Sequence, residues 1–370
     1  MSKMTLEQKR ELLIELCKIR DVIRTDEQLT KTVLRNHLEF IPHKKLYKFR
    51  TCCKRNFDTL AENCIWMSPA NSFPDPFDNT INIDLKRNSE EIELWLYNNY
   101  PVFCFYLAKT YCESKGLSVP YTEKDLIEYA NTCLDKDGNP IEEKEKAFWV
   151  SRVSPDELLQ IESAWEQFKS LRDKFAEKEE VAARCISDVI NQMRTRMRDT
   201  LLVYCMTERY DNRTLWENYA DMYSGFCIEY SFADFDNQSF DDYKNLVFMF
   251  PMTYRKRIPY FNMVPFLDGA CRQFICNDES WQQNPELDAD LNMQLYYKSK
   301  DYEFEHEWRF AINNAGNNKQ FFPFVSAIYA GKDISAEHLK QLLTIAKELS
   351  VPVYCQTINK SGNGFDYNLV

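Results

Sequence analysis

The chain has 370 residues, 44% of them apolar and 14% aromatic, enough to build a packed core and too many for a disordered segment. Only eight glycines occur, and neither GxGxxG nor GxxxxGK(S/T) is present, which argues against glycine-built dinucleotide folds and phosphate loops. A formal net charge of −11 disfavours a continuous basic surface gripping a long duplex.

In chain order, residues 4–39 read as two helices, with Leu6, Leu12, Leu13, Ile14 and Cys17 at helical spacing and Asp26 as the cap of the second. Leu46 to Arg50 alternates like a strand, Asn56 to Asn63 reads as a short helix, and Cys64 to Ser68 as a second strand. A turn-rich stretch from Pro69 to Asp78 ends it. From about 87 to 200 the composition turns helical, clearest in Pro155 to Lys178 and Glu180 to Arg198, and reads as an insertion. Strands are expected again at Leu201–Cys205, Phe226–Tyr230, Leu246–Phe250, Phe304–Ile312, Phe324–Ala330 and Val351–Gln356. A helix over Ser335–Leu349 joins the last two. The pattern is α+β with a mixed or antiparallel core, divided as 1–45 (N-terminal helices), 46–86 and 201–370 (core) and 87–200 (helical insertion).

Thirteen cysteines include no CxxC pair, and the four histidines, His37, His43, His306 and His338, are scattered singly. Reduced thiols in a cytoplasmic protein are expected, and no metal. The opening MSKMTLEQKR reads as a charged helical start rather than a signal peptide, and no apolar run of about 18 residues predicts a membrane span.

Three stretches carry chemistry. Read as one strand, Asp301 to Phe310 puts Glu303, Glu305, Glu307 and Arg309 on one face and Phe304, His306, Trp308 and Phe310 on the other. The charged face is either a rigid carboxylate site or a solvent-facing ladder of ion pairs. On the first strand, Tyr47-Lys48-Phe49-Arg50 offers an arginine that grips a carboxylate or pyrophosphate, or else forms an ordinary surface pair. In the turn that follows, Asp75 and Asp78 read as caps of backbone amides. Third, Trp216, Tyr219 and Tyr223 fall at helical spacing before Gly225, as a core stripe or as a stack for a planar ring.

In order and wording these stretches resemble the bacterial domain of unknown function 2971 family. The matching parts are Lys48-Phe49-Arg50, Met67 to Asp78, Trp216 to Tyr230 and Phe304 to Arg309. Pro74 replaces the family's usual Asn, and Tyr223 stands where a His is common. The resemblance covers about 46–84 and 200–360 and names no activity. A weaker resemblance, to the ADP-ribosyltransferase layout, suggests one. It implies NAD as substrate, held by Arg50, Tyr47 and Arg309, with Trp216, Tyr219 and Tyr223 flanking the nicotinamide. Glu307 would stabilise the ribosyl cation and Glu305 orient or deprotonate the acceptor. The acceptor would be a nucleic acid or a protein, and a toxin or phage-defence role follows from the same resemblance.

Two other functions compete. Asp75, Asp78, Glu305 and Glu307 converging on Mg²⁺ would make a nuclease or phosphodiesterase. An aromatic pocket without catalysis would make a sensor of a nucleotide or phage component. Two basic patches, Tyr254 to Tyr260 and the trio Arg194, Arg196 and Arg198, are either solvated faces or local nucleic-acid contacts. The helical insertion is a candidate lid, dimer interface or partner surface.

Overall fold

The computed structural model describes residues 4–73, 75, 78–99, 122–136, 140–152, 187–188, 190–192, 194–195, 198–269, 284–313 and 316–370. The helix expected over 155–178, most of that over 180–198, and Pro74 and Arg196 lie outside the described residues. By its contacts the chain divides into two units. The first comprises Met1–Ile81, Thr195–Pro259 and Ala289–Val370; the second comprises Asn82–Arg194 and Tyr260–Asp288.

The first unit begins with α1 (Leu6–Lys18), opened by a Thr5–Gln8 capping box, and α2 (Glu27–Leu38), capped by Asp26 as the sequence predicts. Next come β1 (Lys45–Arg50), α3 (Lys54–Ala61), β2 (Cys64–Trp66) and β3 (Ser68–Pro69). After the second unit's main segment come β4 (Leu201–Thr207), α4 (Arg213–Tyr219), β5 (Phe226–Ser231), β6 (Met249–Pro251), β7 (Thr253–Arg255) and β8 (Tyr297–Ser299). The chain closes with β9 (Glu307–Asn313), β10 (Lys319–Phe321), β11 (Val325–Ala330), α5 (Ala336–Leu349), β12 (Val353–Ile358) and β13 (Phe365–Leu369).

Nine of these strands form one mixed sheet in the order β13-β12-β11-β5-β1-β4-β9-β6, with β3 added alongside β4. Every pairing in it is antiparallel except β11 with β12, which α5 joins as the expected strand–helix–strand crossover. Alternation along the strands sorts the two faces. Leu46, Tyr204, Met206, Phe226, Ile228, Trp308 and Phe310 enter the larger core, which also takes in Leu13 and Leu16 of α1 and Leu34 and Leu38 of α2. Tyr47, Phe49, Cys227, Ala327 and Tyr329 enter a second core, closed by Leu215 and Trp216 of α4. Lys9 on α1 is buried and donates to the Pro251 carbonyl and to Thr253 Oγ1 at 2.6 Å; burial pulls its amine down to about 7.

One junction is not closed. β1 pairs along its whole length with β5, and β4 along its whole length with β9, yet β1 and β4 meet at the single pair Tyr47–Thr207. Beyond it the two strands part.

Two strand expectations are corrected. Lys244–Phe248 is a 3₁₀ turn, so β6 begins only at Met249. Lys300–Glu305 is also 3₁₀, and His306 takes the left-handed conformation (φ 44°) before β9 starts at Glu307. Glu303 and Phe304 therefore lie off the strand, Phe304 is exposed, and the aromatics that reach the core from β9 are Trp308 and Phe310.

The second unit contains helices Leu85–Asn98, Glu123–Thr132 and Glu142–Val150. Its buried residues include Ile92, Trp95, Tyr129, Phe148 and Trp149, with the Tyr129 hydroxyl donating to buried Glu145 at 2.6 Å. Among the described residues, no helix is long and apolar enough to cross a membrane. The described cysteines are free thiols, with Cys133 and Cys227 buried.

Candidate functional site

A cavity of about 420 Å³ opens where β1 and β4 part. By alternation Lys48 and Arg50 leave β1 toward the face of Tyr204, whereas Glu307 leaves β9 toward the face of Cys205. A closed sheet would keep these side chains apart. Because the junction is open, all of them line one cavity, together with Tyr47, Tyr219, Lys298, Glu305, Asp75 and Asp78.

The acidic end is densely cross-linked. Arg309 is fully buried; its Nε donates to Glu307 Oε1 at 3.0 Å, and its Nη1 donates to the Leu295 carbonyl and pairs with Asp78 Oδ1, both at 2.9 Å. Lys298 reaches from β8 to Glu305 at 2.5 Å and Glu307 at 2.6 Å. The Tyr219 hydroxyl, from the last residue of α4, donates to Glu305 Oε1 at 3.0 Å. Tyr254 on β7 accepts the Glu307 backbone N–H at 2.8 Å, and Thr207 Oγ1 donates to the Glu305 carbonyl at 2.6 Å. A solvent-facing ladder is thereby excluded: Glu305, Glu307 and Arg309 are 6%, 4% and 0% exposed.

These contacts drive the two glutamates apart. Burial alone would raise the Glu307 carboxyl, but Arg309 and then Lys298 pull it well below the usual carboxylate range. Burial raises the Glu305 carboxyl too; Lys298 opposes this and the Glu307 charge adds to it, leaving Glu305 above its ordinary value. Burial would discharge Lys298, but Glu307 and Glu305 outweigh it and hold the ammonium charged.

The opposite edge carries two cations and no carboxylate partner. Lys48 Nζ donates to the Cys205 carbonyl at 2.6 Å across the opening and sits 5.1 Å from the Tyr204 ring centre, over which the Arg50 guanidinium also lies, at 5.2 Å. Neither makes an ion pair among the described residues, so Arg50 is not in an ordinary surface pair. Burial, and then the neighbouring Arg50, pull the Lys48 amine down to about 8.

Of the residues singled out in the sequence, Arg50, Tyr47, Tyr219, Glu305 and Glu307 line the cavity. Arg309 stands behind it as the support of Glu307. Trp216 and Tyr223 do not line it. α4 ends at Tyr219, and Asp221, Met222 and Tyr223 all have positive φ, so the expected aromatic stripe is broken. Trp216 is buried beneath the helix, Tyr219 is 49% exposed, and Tyr223 stacks on Trp216 at 6.2 Å. The sharp turn is fixed by Gly225, where a β-carbon would run into the Arg50 carbonyl.

Lys48 and Lys298 are site residues to which the sequence gives no such role, whereas Asp78 enters there as a cap and as a candidate Mg²⁺ ligand. Lys48 was visible in principle, two positions before Arg50 and therefore on the same side of β1. Asp78 does cap the Asn79 amide at 2.8 Å, as expected of a turn residue, and also carries the Arg309 pair. Lys298 had no signal, since its partners lie in a different element. Arg198 donates to the carbonyls of Ala70, Phe73 and Asp75 and so fastens the loop rather than presenting a basic face. Arg255, Lys256 and Arg257 are exposed, while Tyr254 between them and the core turns toward Glu307.

Residues 215–310 match the family model described as Protein of unknown function (DUF2971). The match spans Tyr219, Lys298, Glu305, Glu307 and Arg309 and supports the resemblance drawn from those stretches; β1 lies outside it. No curated protein and no solved structure matches the chain.

Proposed function

We propose that the cavity transfers a glycosyl group from a nucleotide of the NAD type to a nucleophile on a nucleic acid or protein. The observation that carries this reading is that Arg50, which makes no ion pair among the described residues, meets Glu305 and Glu307 in one cavity. Arg50 suits a diphosphate oxygen, which it would hold with parallel N–H bonds. As the bond from ribose C1′ to the nicotinamide nitrogen breaks, its electron pair leaves with nicotinamide and positive charge develops on the ribose. Glu307, kept ionised by Arg309 and Lys298, is a fixed anion suited to that charge. Glu305, bound by Tyr219 and Lys298, suits proton removal from the attacking acceptor. Tyr219 is the one residue of the expected aromatic trio available to flank the ring.

The nuclease reading is less well supported. Asp78 and Glu307 already face Arg309, and Glu305 and Glu307 already face Lys298, so Mg²⁺ would have to displace two cations.

Nicotinamide release from labelled NAD, with transfer of the label to cell extract, tests the proposal. Glu307→Gln should keep the native circular dichroism spectrum and lose release by about 100-fold or more. Full release by that variant, or none by the wild-type protein, overturns the reading.

A further inference from the structure

The same cavity holds two lysines in opposite states. Lys298 is pinned between two carboxylates at 2.5 and 2.6 Å. Lys48 has none among the described residues: there its amine hydrogen-bonds the Cys205 carbonyl, and it projects into the opening between β1 and β4. Arg50, two residues on, shares its side of the strand and the Tyr204 ring beneath.

We propose that Lys48 is a nucleophilic amine that captures phosphorylated aldehydes or ketones as imines, with Arg50 holding the phosphate. This activity is separate from glycosyl transfer and does not require it. The Lys48 lone pair attacks the carbonyl carbon, giving a carbinolamine. The carbonyl oxygen then departs as water with the two hydrogens the amine gives up, leaving a C=N bond. No oxidant or reductant enters.

The groups facing Lys48 bring its neutral amine closer to neutral pH. Burial and then Arg50 on its own strand oppose the ammonium form, whereas Cys205 on β4, Glu307 on β9 and Glu305 at the end of the 3₁₀ segment act more weakly in the opposite sense. The balance leaves the amine near 8, within reach of neutral pH, while Lys298 stays charged.

The test treats the full-length protein with pyridoxal 5′-phosphate, reduces the adducts with borohydride and maps the labelled peptides. Lys48 should be labelled well ahead of the exposed lysines and of Lys298, at a rate that rises between pH 7 and 9. Pyridoxal, which lacks the phosphate, should label Lys48 at least tenfold more slowly. Lys48→Arg should remove the preferred label, and Arg50→Met should erase the advantage of the phosphorylated aldehyde. Labelling spread over lysines in proportion to exposure overturns the proposal, as do equal rates for the two aldehydes at Lys48. The first of these readouts needs no variant and no turnover, so it stands or falls apart from nicotinamide release.

Discussion

The two ends of the cavity are built on opposite principles. At the acidic end, Asp78, Arg309, Glu307, Lys298, Glu305 and Tyr219 form a chain in which each charge meets an opposite charge or a donor within 3.0 Å. At the basic edge, Lys48 and Arg50 stand together on one strand with an aromatic ring and a carbonyl for company. Closing the acidic network fixes its carboxylates without a ligand, which is the preorganisation that charge stabilisation requires. Leaving two cations unpaired in a half-buried place costs stability that a bound anion would restore. On the proposed glycosyl transfer, the acidic end would be the reacting centre and Arg50 on the basic edge would hold the diphosphate.

Removing Arg309 should break the comparison most severely. Arg309→Met leaves Asp78 and Glu307 buried without their guanidinium, and we expect a loss of about 3–5 kcal/mol in urea unfolding near neutral pH. The pH dependence has a definite sign. In the wild-type protein the Glu307 carboxyl is held low, so its contribution is present above the unfolded-state value and is lost as the pH falls toward the folded one. Without Arg309, Lys298 is the main group left to oppose burial, so the folded carboxyl titrates higher than in the wild-type protein and has less stability to lose on acidification. The penalty should therefore be greater at pH 7 than at pH 3. An equal penalty at both would mean that Arg309 does not set the charge state of Glu307.

Lys298 offers a smaller and more selective lesion. Lys298→Met removes the strongest influence that lowers Glu305, leaving burial and the Glu307 charge to raise it further. Proton removal by Glu305 should then begin at higher pH, moving the acidic limb of the rate profile up by about one unit or more. We expect a stability loss of about 2–3 kcal/mol, below that of Arg309, because Lys298 keeps some exposure where Arg309 has none. A lowered rate with an unmoved acidic limb would make Lys298 a structural strut alone.

How much of this was legible in the sequence depends on range. Strands that alternate cleanly, such as β1, β4 and β5, stand where their apolar pattern puts them, and the Asp26 cap and α5 follow from local chemistry. Glu305, Glu307 and Arg50 were visible as charged residues at strand spacing. The break at His306 was not, because a left-handed histidine carries no composition signal and the alternation of Glu305, Glu307 and Arg309 continues straight through it. The burial of that charged face was equally hidden. It depends on Asp78 and Lys298 arriving from distant elements to neutralise it, and on the opening between β1 and β4, which is a matter of register.

The finest test of the contrast lies at Tyr219, where the acidic chain ends in a half-exposed phenol. Burial, with the Glu305 charge beside it, holds that phenol protonated well above its ordinary value, so it serves Glu305 as a donor. Tyr219→Phe keeps the ring and deletes one hydrogen bond to a charged oxygen, for which we expect about 1 kcal/mol or less in stability. If the ring flanks the ligand and the hydroxyl only steadies Glu305, KM for NAD should hold while kcat falls several-fold. Should KM rise with kcat unchanged, the hydroxyl would be a ligand contact, and the division between a reacting end and a holding edge would have to be drawn on the other side of Tyr219.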